Sequence, residues 1–290
     1  MKQFITKLSL KPKRKNNKKA VYFSSLFAEQ QNCHIHKLTI FAQNFKPMRL
    51  FGLIGHPLKH SFSKDFFNEK FQYEGLDCRY QNFDMKSIDE LIPTINSHPE
   101  LCGFNVTIPY KEAILPHLDE IDATAKEIGA VNVVKIKDGK LKGFNSDAFG
   151  FNILLERALK GQAIDNALIL GTGGASKAVQ FVLKQRQIPF STVSRFAEKG
   201  DFTYDTLTHE TLKKNLLIIN ATPLGMAPKT EDFPEINYQV LGKKHILIDL
   251  IYNPKQTAFM ELGKTWGAKT YNGMQMFEEQ AKKSWEIWNE

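Results

Sequence analysis

At 290 residues the chain is long enough for two domains, and a hydrophobic fraction of 42% with 22 phenylalanines supplies material for sizeable cores. No run approaches the roughly 18 uninterrupted apolar residues of a membrane span, and three widely spaced cysteines (Cys33, Cys78, Cys102) without a C-x-x-C pair point away from disulfide frameworks and zinc sites and toward a reducing compartment. The net charge of +8 suggests nucleic-acid binding until it is located: residues 1–47 hold ten Lys or Arg and one acid, Glu29, so residues 48–290 carry 29 basic and 30 acidic residues, close to neutrality.

The first 47 residues read as a basic leader. They are Lys- and Asn-rich, centred on Lys11-Pro-Lys-Arg-Lys-Asn-Asn-Lys-Lys19, with no steady period. Three readings compete: an acid-poor targeting peptide, a nucleic-acid-binding arm, or non-native, disordered sequence ahead of a start at Met48. The third is favoured because Met48 stands directly before the first well-formed strand pattern.

From Met48, residues 49–54 read as a buried strand, followed by a loop with Ser61 and Ser63. A helix comes next, with Phe66, Phe67, Lys70 and Phe71 as its inner face and Gly75 as its stop. Residues 78–83 form a second strand, Ser87 opens a helix through Leu91, Ile92 and Ile95, and residues 101–107 make a third strand. Pro109 is expected to start a helix with Lys111 in its first turn. Residues 132–137 and 140–145 read as a hairpin about Asp138-Gly139, and Asp147 opens a long helix ending near Lys160-Gly161.

Residues 167–170 are a short apolar run of parallel-strand type, followed by Gly171-Thr-Gly-Gly-Ala-Ser176 and a helical pattern with Val179, Val182 and Leu183. Strand, glycine turn and helix together suit a dinucleotide pyrophosphate, which meets bare backbone and free N–H groups at a helix start. Ser176 replaces the third glycine of the full G-x-G-x-x-G string. An NAD site places an acid about 20 residues on. Here the next strand, residues 189–193, ends in Ser194-Arg195 with Lys199 close by, which favours a 2′-phosphate and hence NADP. Residues 216–220 and 245–249 add two more buried strands, giving a parallel, doubly wound, Rossmann-like sheet. After a helix over 257–266 and a short strand at 268–271, a helix over 274–288 presents Met276, Phe277, Gln280, Trp285 and Trp288, a face expected to pack back on the first domain.

Polar residues gather at these strand ends and helix starts: Ser61, Ser63, Asn105, Thr107, Lys111, Asn132, Asp147 and Gln280. Each alone has an ordinary explanation as a cap, a turn or a solvated charge. Together, the strings His60-Ser-Phe-Ser63, Gly103-Phe-Asn-Val-Thr-Ile-Pro-Tyr-Lys111, Gly129-Ala-Val-Asn132, Asn145-Ser-Asp147, the 171–176 loop, Asn220-Ala-Thr-Pro-Leu-Gly-Met226 and the terminal Gly273-Met with Glu279-Gln280-Ala resemble the shikimate dehydrogenase family, in order and spacing, from Met48 to the C-terminus.

The resemblance implies an α/β fold: a substrate domain over 48–149 with 273–290, and an NADP-binding domain over 150–272. It implies NADPH-dependent reduction of the C3 ketone of 3-dehydroshikimate by a cytoplasmic enzyme of aromatic amino acid biosynthesis, monomeric or homodimeric, with no metal, nucleic acid or membrane partner. By the same likeness Lys111 and Asp147 are the catalytic pair, and Ser61 and Ser63, helped by Tyr252, hold the substrate carboxylate. Thr107, Asn132, Asp147 and Gln280 bind the ring hydroxyls. Gly171, Thr172, Gly173, Gly174 and Ala175, with Ser194, Arg195 and Lys199, hold NADP(H), while Leu250 and Gly273 line its nicotinamide end. Chemically, hydride arriving at a ketone carbon creates an alkoxide, for which a lysine ammonium supplies both a proton and charge. A helix start disfavours that cation and a partner carboxylate favours it, and the sequence leaves the balance open.

Three departures from the family pattern stand out. Lys64 replaces a proline after the serine pair, Ser194-Arg195-Phe196 stands where Asn-Arg-Thr is usual, and the leader has no counterpart. The competing readings are an NAD-using quinate/shikimate relative, disfavoured by the missing acid, and a non-enzymatic nucleotide or nucleic-acid binder using the leader.

Overall fold

The computed structural model describes residues 48–58 and 61–290. The expectations for the leader, residues 1–47, therefore lie outside the described residues. Met48–Glu290 forms one compact unit holding two six-stranded sheets.

The first sheet grows from β1 (Arg49–Gly55), β2 (Cys78–Asp84) and β3 (Leu101–Val106), which pair in parallel with β1 between the other two. Helix α1 (Phe62–Tyr73) crosses from β1 to β2, burying Phe67 and Phe71. Phe66 is only partly buried. Lys70 is not on the inner face as expected: its ammonium pairs with Glu74 and lies 5.8 Å from the Trp285 ring. The next crossover begins at Ser87, which closes a capping box with Glu90 and leads into α2 (Leu91–Asn96).

A hairpin completes that sheet. β5 (Val133–Lys137) runs antiparallel to β3, and β6 (Lys140–Phe144) runs antiparallel to β5. Asp138 and Gly139 turn it with φ of 52° and 75°, the left-handed pair of a two-residue hairpin. Two elements here carry too few residues for a periodic signal: β4 (Glu120–Ile121), which adds an edge beside β6, and α4 (Ala123–Ile128), capped by Asp122.

The helix expected after Pro109 is also corrected. α3 (Tyr110–Ala113) is a single turn, with Pro109 in its N-cap position rather than inside the helix. Lys111 thus stands in the first and the last turn at once, and a helix dipole argument about its charge loses its basis, because aligned peptide dipoles need several turns to sum.

Helix α5 (Asp147–Leu159) links the two sheets and stops where Lys160 turns left-handed at φ 49°. The second sheet is wholly parallel. It comprises β7 (Ala167–Leu170), β8 (Phe190–Ser194), β9 (Phe202–Thr203), β10 (Leu217–Asn220), β11 (Ile246–Asp249) and β12 (Lys269–Tyr271) in the order β12-β11-β10-β7-β8-β9. Helices α6 (Gly174–Gln185), α7 (His209–Lys214) and α8 (Ala258–Thr265) connect the strands. β7, β10 and β11 are buried throughout, as expected for strands covered on both faces. One face packs on α5 and α6 through residues such as Phe151, Leu155, Val179 and Ile219. The other packs on α8 through Phe259 and Met260.

The final helix, α9 (Met274–Asn289), returns to the first sheet as the sequence suggests. Trp288 stacks on Phe51 at 4.8 Å, and its Nε1 donates to the Val134 carbonyl at 3.0 Å.

Candidate active site

The site begins at the carboxyl ends of the first sheet. Tyr110 is buried and its hydroxyl donates to the Met85 carbonyl at 2.6 Å, while the Val131 N–H donates to the Lys111 carbonyl at 2.8 Å. These two anchors fix the turn that carries Lys111. Its Nζ meets Asp147 Oδ2 at 2.6 Å, and the two side chains are only 15% and 7% exposed. The other carboxylate oxygen of Asp147 accepts from Asn132 Nδ2 at 2.8 Å. Asn132 is held in turn, because its Oδ1 accepts from the Ser146 N–H at 2.7 Å. Gln280 enters from α9, placing Oε1 3.5 Å from Asn132 Nδ2 and 3.3 Å from Ser146 Oγ. Four of the expected residues thus converge: Lys111, Asp147, Asn132 and Gln280.

The serine pair lies at the other end of a buried polar chain. Ser63 bonds to Tyr80, Tyr80 donates to Asn105 Oδ1 at 2.9 Å, and Asn105 Nδ2 donates to the Asn132 carbonyl at 3.1 Å and to Ser284 Oγ at 2.9 Å. Burial pushes the Tyr80 phenol well above its ordinary range, so it stays protonated and remains a donor. Ser61 behaves differently. It takes the N-cap position of α1 without a capping hydrogen bond, and its Oγ is buried with no partner among the described residues. Buried hydroxyls are nearly always bonded, and one that is not suits a ligand that completes it. Thr107 is half-buried just past β3, fixed by its N–H to the Ile54 carbonyl at 2.9 Å.

Tyr252 reaches this site from beyond β11. Its ring lies against Phe62 and Phe277. Burial first, and the Asp147 charge second, push its phenol up to about 12.

The second sheet delivers the glycine turn to the same place. Gly171 has φ +107°, a conformation that favours glycine. Thr172 and Ala175 are half-buried beside it, and Gly173 is the N-cap of α6, with no side chain closing the helix start. A Cβ on Gly173 would meet nothing within 4 Å, whereas one on Gly174 would lie 3.0 Å from the Lys111 Cβ. The turn therefore abuts the Lys111–Asp147 pair, and the Lys177–Glu112 ion pair at 2.6 Å bridges α6 and α3 beside it. Ser176, in place of a third glycine, is buried and accepts from Gln180 Nε2 at 3.1 Å, an internal role.

At the end of β8, Ser194 is buried, with Oγ accepting from the Phe196 N–H at 3.1 Å, while Arg195 and Lys199 are exposed. Leu250 and Gly273 meet: a Cβ on Gly273 would fall 2.1 Å from the Leu250 carbonyl oxygen, so only glycine lets α9 leave at this point.

Several residues that the sequence did not single out as site candidates take part in the buried polar network. Asn220 and Asp249, both fully buried at the ends of β10 and β11, bond at 3.1 Å. Asp249 also accepts from Thr257 Oγ1 at 2.6 Å and the Ile251 N–H at 3.0 Å. An acid closing the apolar run His245-Ile-Leu-Ile-Asp249 was the available signal. Tyr80, Ser146 and Ser284 gave none beyond adjacency or helical spacing to Asp147 and Gln280. A separate recess of about 500 Å³ beside Phe149, Phe181 and Lys283 contains none of the site residues, and its lysine is tied to Glu286 and Glu290.

This arrangement sets a buried ammonium–carboxylate pair against a bare helix start, with a buried hydroxyl on Ser61, unpartnered among the described residues, at the head of α1. The sequence model described as "Shikimate dehydrogenase substrate binding domain" matches residues 53–134. A shikimate dehydrogenase (NADP(+)) of Methanosphaera stadtmanae is 37% identical over 257 residues, 81% of this chain and 89% of its own length. The crystal structure of shikimate dehydrogenase from Aquifex aeolicus superposes with a TM-score of 0.73 at 34% identity, over 83% of this chain and 92% of that one. The enzyme of Thermus thermophilus, solved with NADP(H) and shikimate, gives a TM-score of 0.71 at 30% identity, over 83% and 93%. With the Lys111–Asp147 pair, the glycine turn and these likenesses in agreement, the chain belongs to the shikimate dehydrogenase family.

Proposed function

We propose that this chain reduces the C3 ketone of 3-dehydroshikimate to shikimate with NADPH. The observation that carries the reading is the buried Lys111–Asp147 pair at 2.6 Å lying against Gly174. Residues 48–149 with 273–290 form the substrate half, and residues 150–272 form the cofactor half.

Bound NADPH supplies the hydride. The residues present fit such a group: an open backbone at Gly173, an uncapped helix start and no acid at the tip of β8. Gly171, Thr172, Gly173, Gly174 and Ala175 hold the pyrophosphate, Ser194, Arg195 and Lys199 the 2′-phosphate, and Leu250 and Gly273 flank the nicotinamide end. The lack of an acid at 194–195, together with the NADP(+) in the relative's name, favours this cofactor over NAD.

On the substrate side, Ser61 and Ser63 donate to the carboxylate and Tyr252 closes over it. Thr107, Asn132, Asp147 and Gln280 bind the ring hydroxyls. As negative charge develops on the ketone oxygen, the Lys111 Nζ gives it a proton, and Asp147 holds that ammonium in line. Asn132 fixes Asp147 through a bond of 2.8 Å, so the pair is already aligned when substrate arrives.

Among the described residues no helix is long and apolar enough to cross a membrane, and a cytoplasmic, monomeric or homodimeric enzyme accords with the reading. The test is turnover of 3-dehydroshikimate with NADPH and with NADH, followed by quinate with each oxidised cofactor. NADPH-preferred turnover of 3-dehydroshikimate is expected. NADH preference, or quinate oxidised as well as shikimate, would overturn the assignment.

A further inference from the structure

Phe196 follows Arg195 directly and is 50% exposed. The Arg195 Cζ lies 5.7 Å and the Lys199 Nζ 5.2 Å from the centroid of its ring, both inside the roughly 6 Å range over which an aromatic quadrupole attracts a cation. Among the described residues neither cation is paired with a carboxylate. The acids nearby are otherwise placed. Asp201 is turned back on Thr192, accepting from its N–H at 2.7 Å and its hydroxyl at 2.9 Å. Glu198 lies in the same segment but bonds to neither cation. Ser194 Oγ accepts from the Phe196 N–H, which fixes the turn that presents the ring.

Two exposed cations on one short segment repel each other and lose side-chain freedom when a ligand gathers them. A ring that attracts both offsets the repulsion and holds them in place beforehand. We propose that Phe196 is a positioning residue for cofactor specificity: its ring holds Arg195 and Lys199 together as a two-cation cradle for the 2′-phosphate of NADP(H). Discrimination against NAD(H) then rests on paired charge. The inference rests on the assignment of residues 171–175 and 194–199 to the cofactor.

The experiment is calorimetric titration of the full chain and its variants with NADP+ and with NAD+, a readout of binding alone. Phe196→Ala is expected to weaken NADP+ by about five- to twentyfold, because two long side chains must then be ordered on binding, while NAD+ stays within about twofold. Phe196→Leu, which keeps apolar bulk but has no ring, should match the alanine variant, and Phe196→Tyr should restore wild-type affinity. Raising the salt concentration should erode the NADP+ advantage in wild type more than in Phe196→Ala. A leucine variant that binds NADP+ like wild type overturns the proposal, as does an equal loss for both cofactors. Arg195→Ala separates the two levels. If it leaves the NADP+ preference unchanged, the cofactor assignment itself fails. If it removes that preference while Phe196→Ala does nothing, only the role of the ring is lost.

Discussion

Replacing Asp249 by asparagine should make the protein more stable at neutral pH than at acidic pH relative to wild type. The Asp249 carboxyl is pushed from 3.8 to about 6, chiefly by burial, against the lowering effect of its bonds from Thr257, Ile251 and Asn220. Between those two values the folded protein keeps a proton that the unfolded chain has released. The unfolded state therefore binds fewer protons, and stability falls as pH rises through that window. At about 1.36 kcal/mol per pH unit the full gap is worth about 3 kcal/mol, of which about 2 kcal/mol is lost between about pH 4.5 and about pH 7.5. Asparagine keeps Oδ1 for the Ile251 and Asn220 donors and turns its amide toward Thr257 Oγ1, which accepts instead. Urea unfolding followed by tryptophan fluorescence gives the stability difference between variant and wild type at each pH, a difference in which the other titrating groups cancel. It should grow in favour of the variant by about 2 kcal/mol across that range. A difference independent of pH, or one shrinking as pH rises, would refute the reasoning.

Three further outcomes follow from the site. Lys111→Met keeps the stem against Gly174 but removes the ammonium, so kcat should fall about 10²- to 10⁴-fold while calorimetric shikimate affinity changes little; a variant retaining most of its rate removes Lys111 as proton donor. Ser61→Ala deletes a buried hydroxyl that lacks a partner among the described residues, so the ligand-free Tm should hold or rise, whereas KM for 3-dehydroshikimate should rise about tenfold or more through loss of a bond to a charged group. An unchanged KM would show that this serine does not touch the carboxylate. Gly174→Ala puts a methyl 3.0 Å from the Lys111 Cβ, and displacing that side chain should lower kcat about 10- to 100-fold; wild-type kcat would mean that the turn and the lysine need not be in register.

The strands and longer helices were legible because their causes are local. Apolar runs such as Ala-Leu-Ile-Leu at 167–170, the Asp138-Gly139 turn and the Ser87 capping box each act within a few residues. The short elements β4, α4, β9 and α7 were not, since two to six residues carry no periodic signal and tertiary pairing alone secures them. Pro109 marked a helix start in the right place but could not reveal that the helix lasts one turn.

The candidate site divides along the same line. Residue types and spacing named Lys111, Asp147, Asn132 and Gln280, yet their mutual contacts span 15 to 148 residues of chain, and the Asn105–Ser284 bond spans 179. Which hydroxyl is left unpaired, which phenol is buried and which carboxyl resists ionisation depend on what packs around each group from distant segments. By itself the sequence determined the local conformations and the chemical vocabulary of the site. Only the tertiary structure decided the distances and the burial, because hydrogen bonding and desolvation act through space over a few ångströms, whatever the separation along the chain.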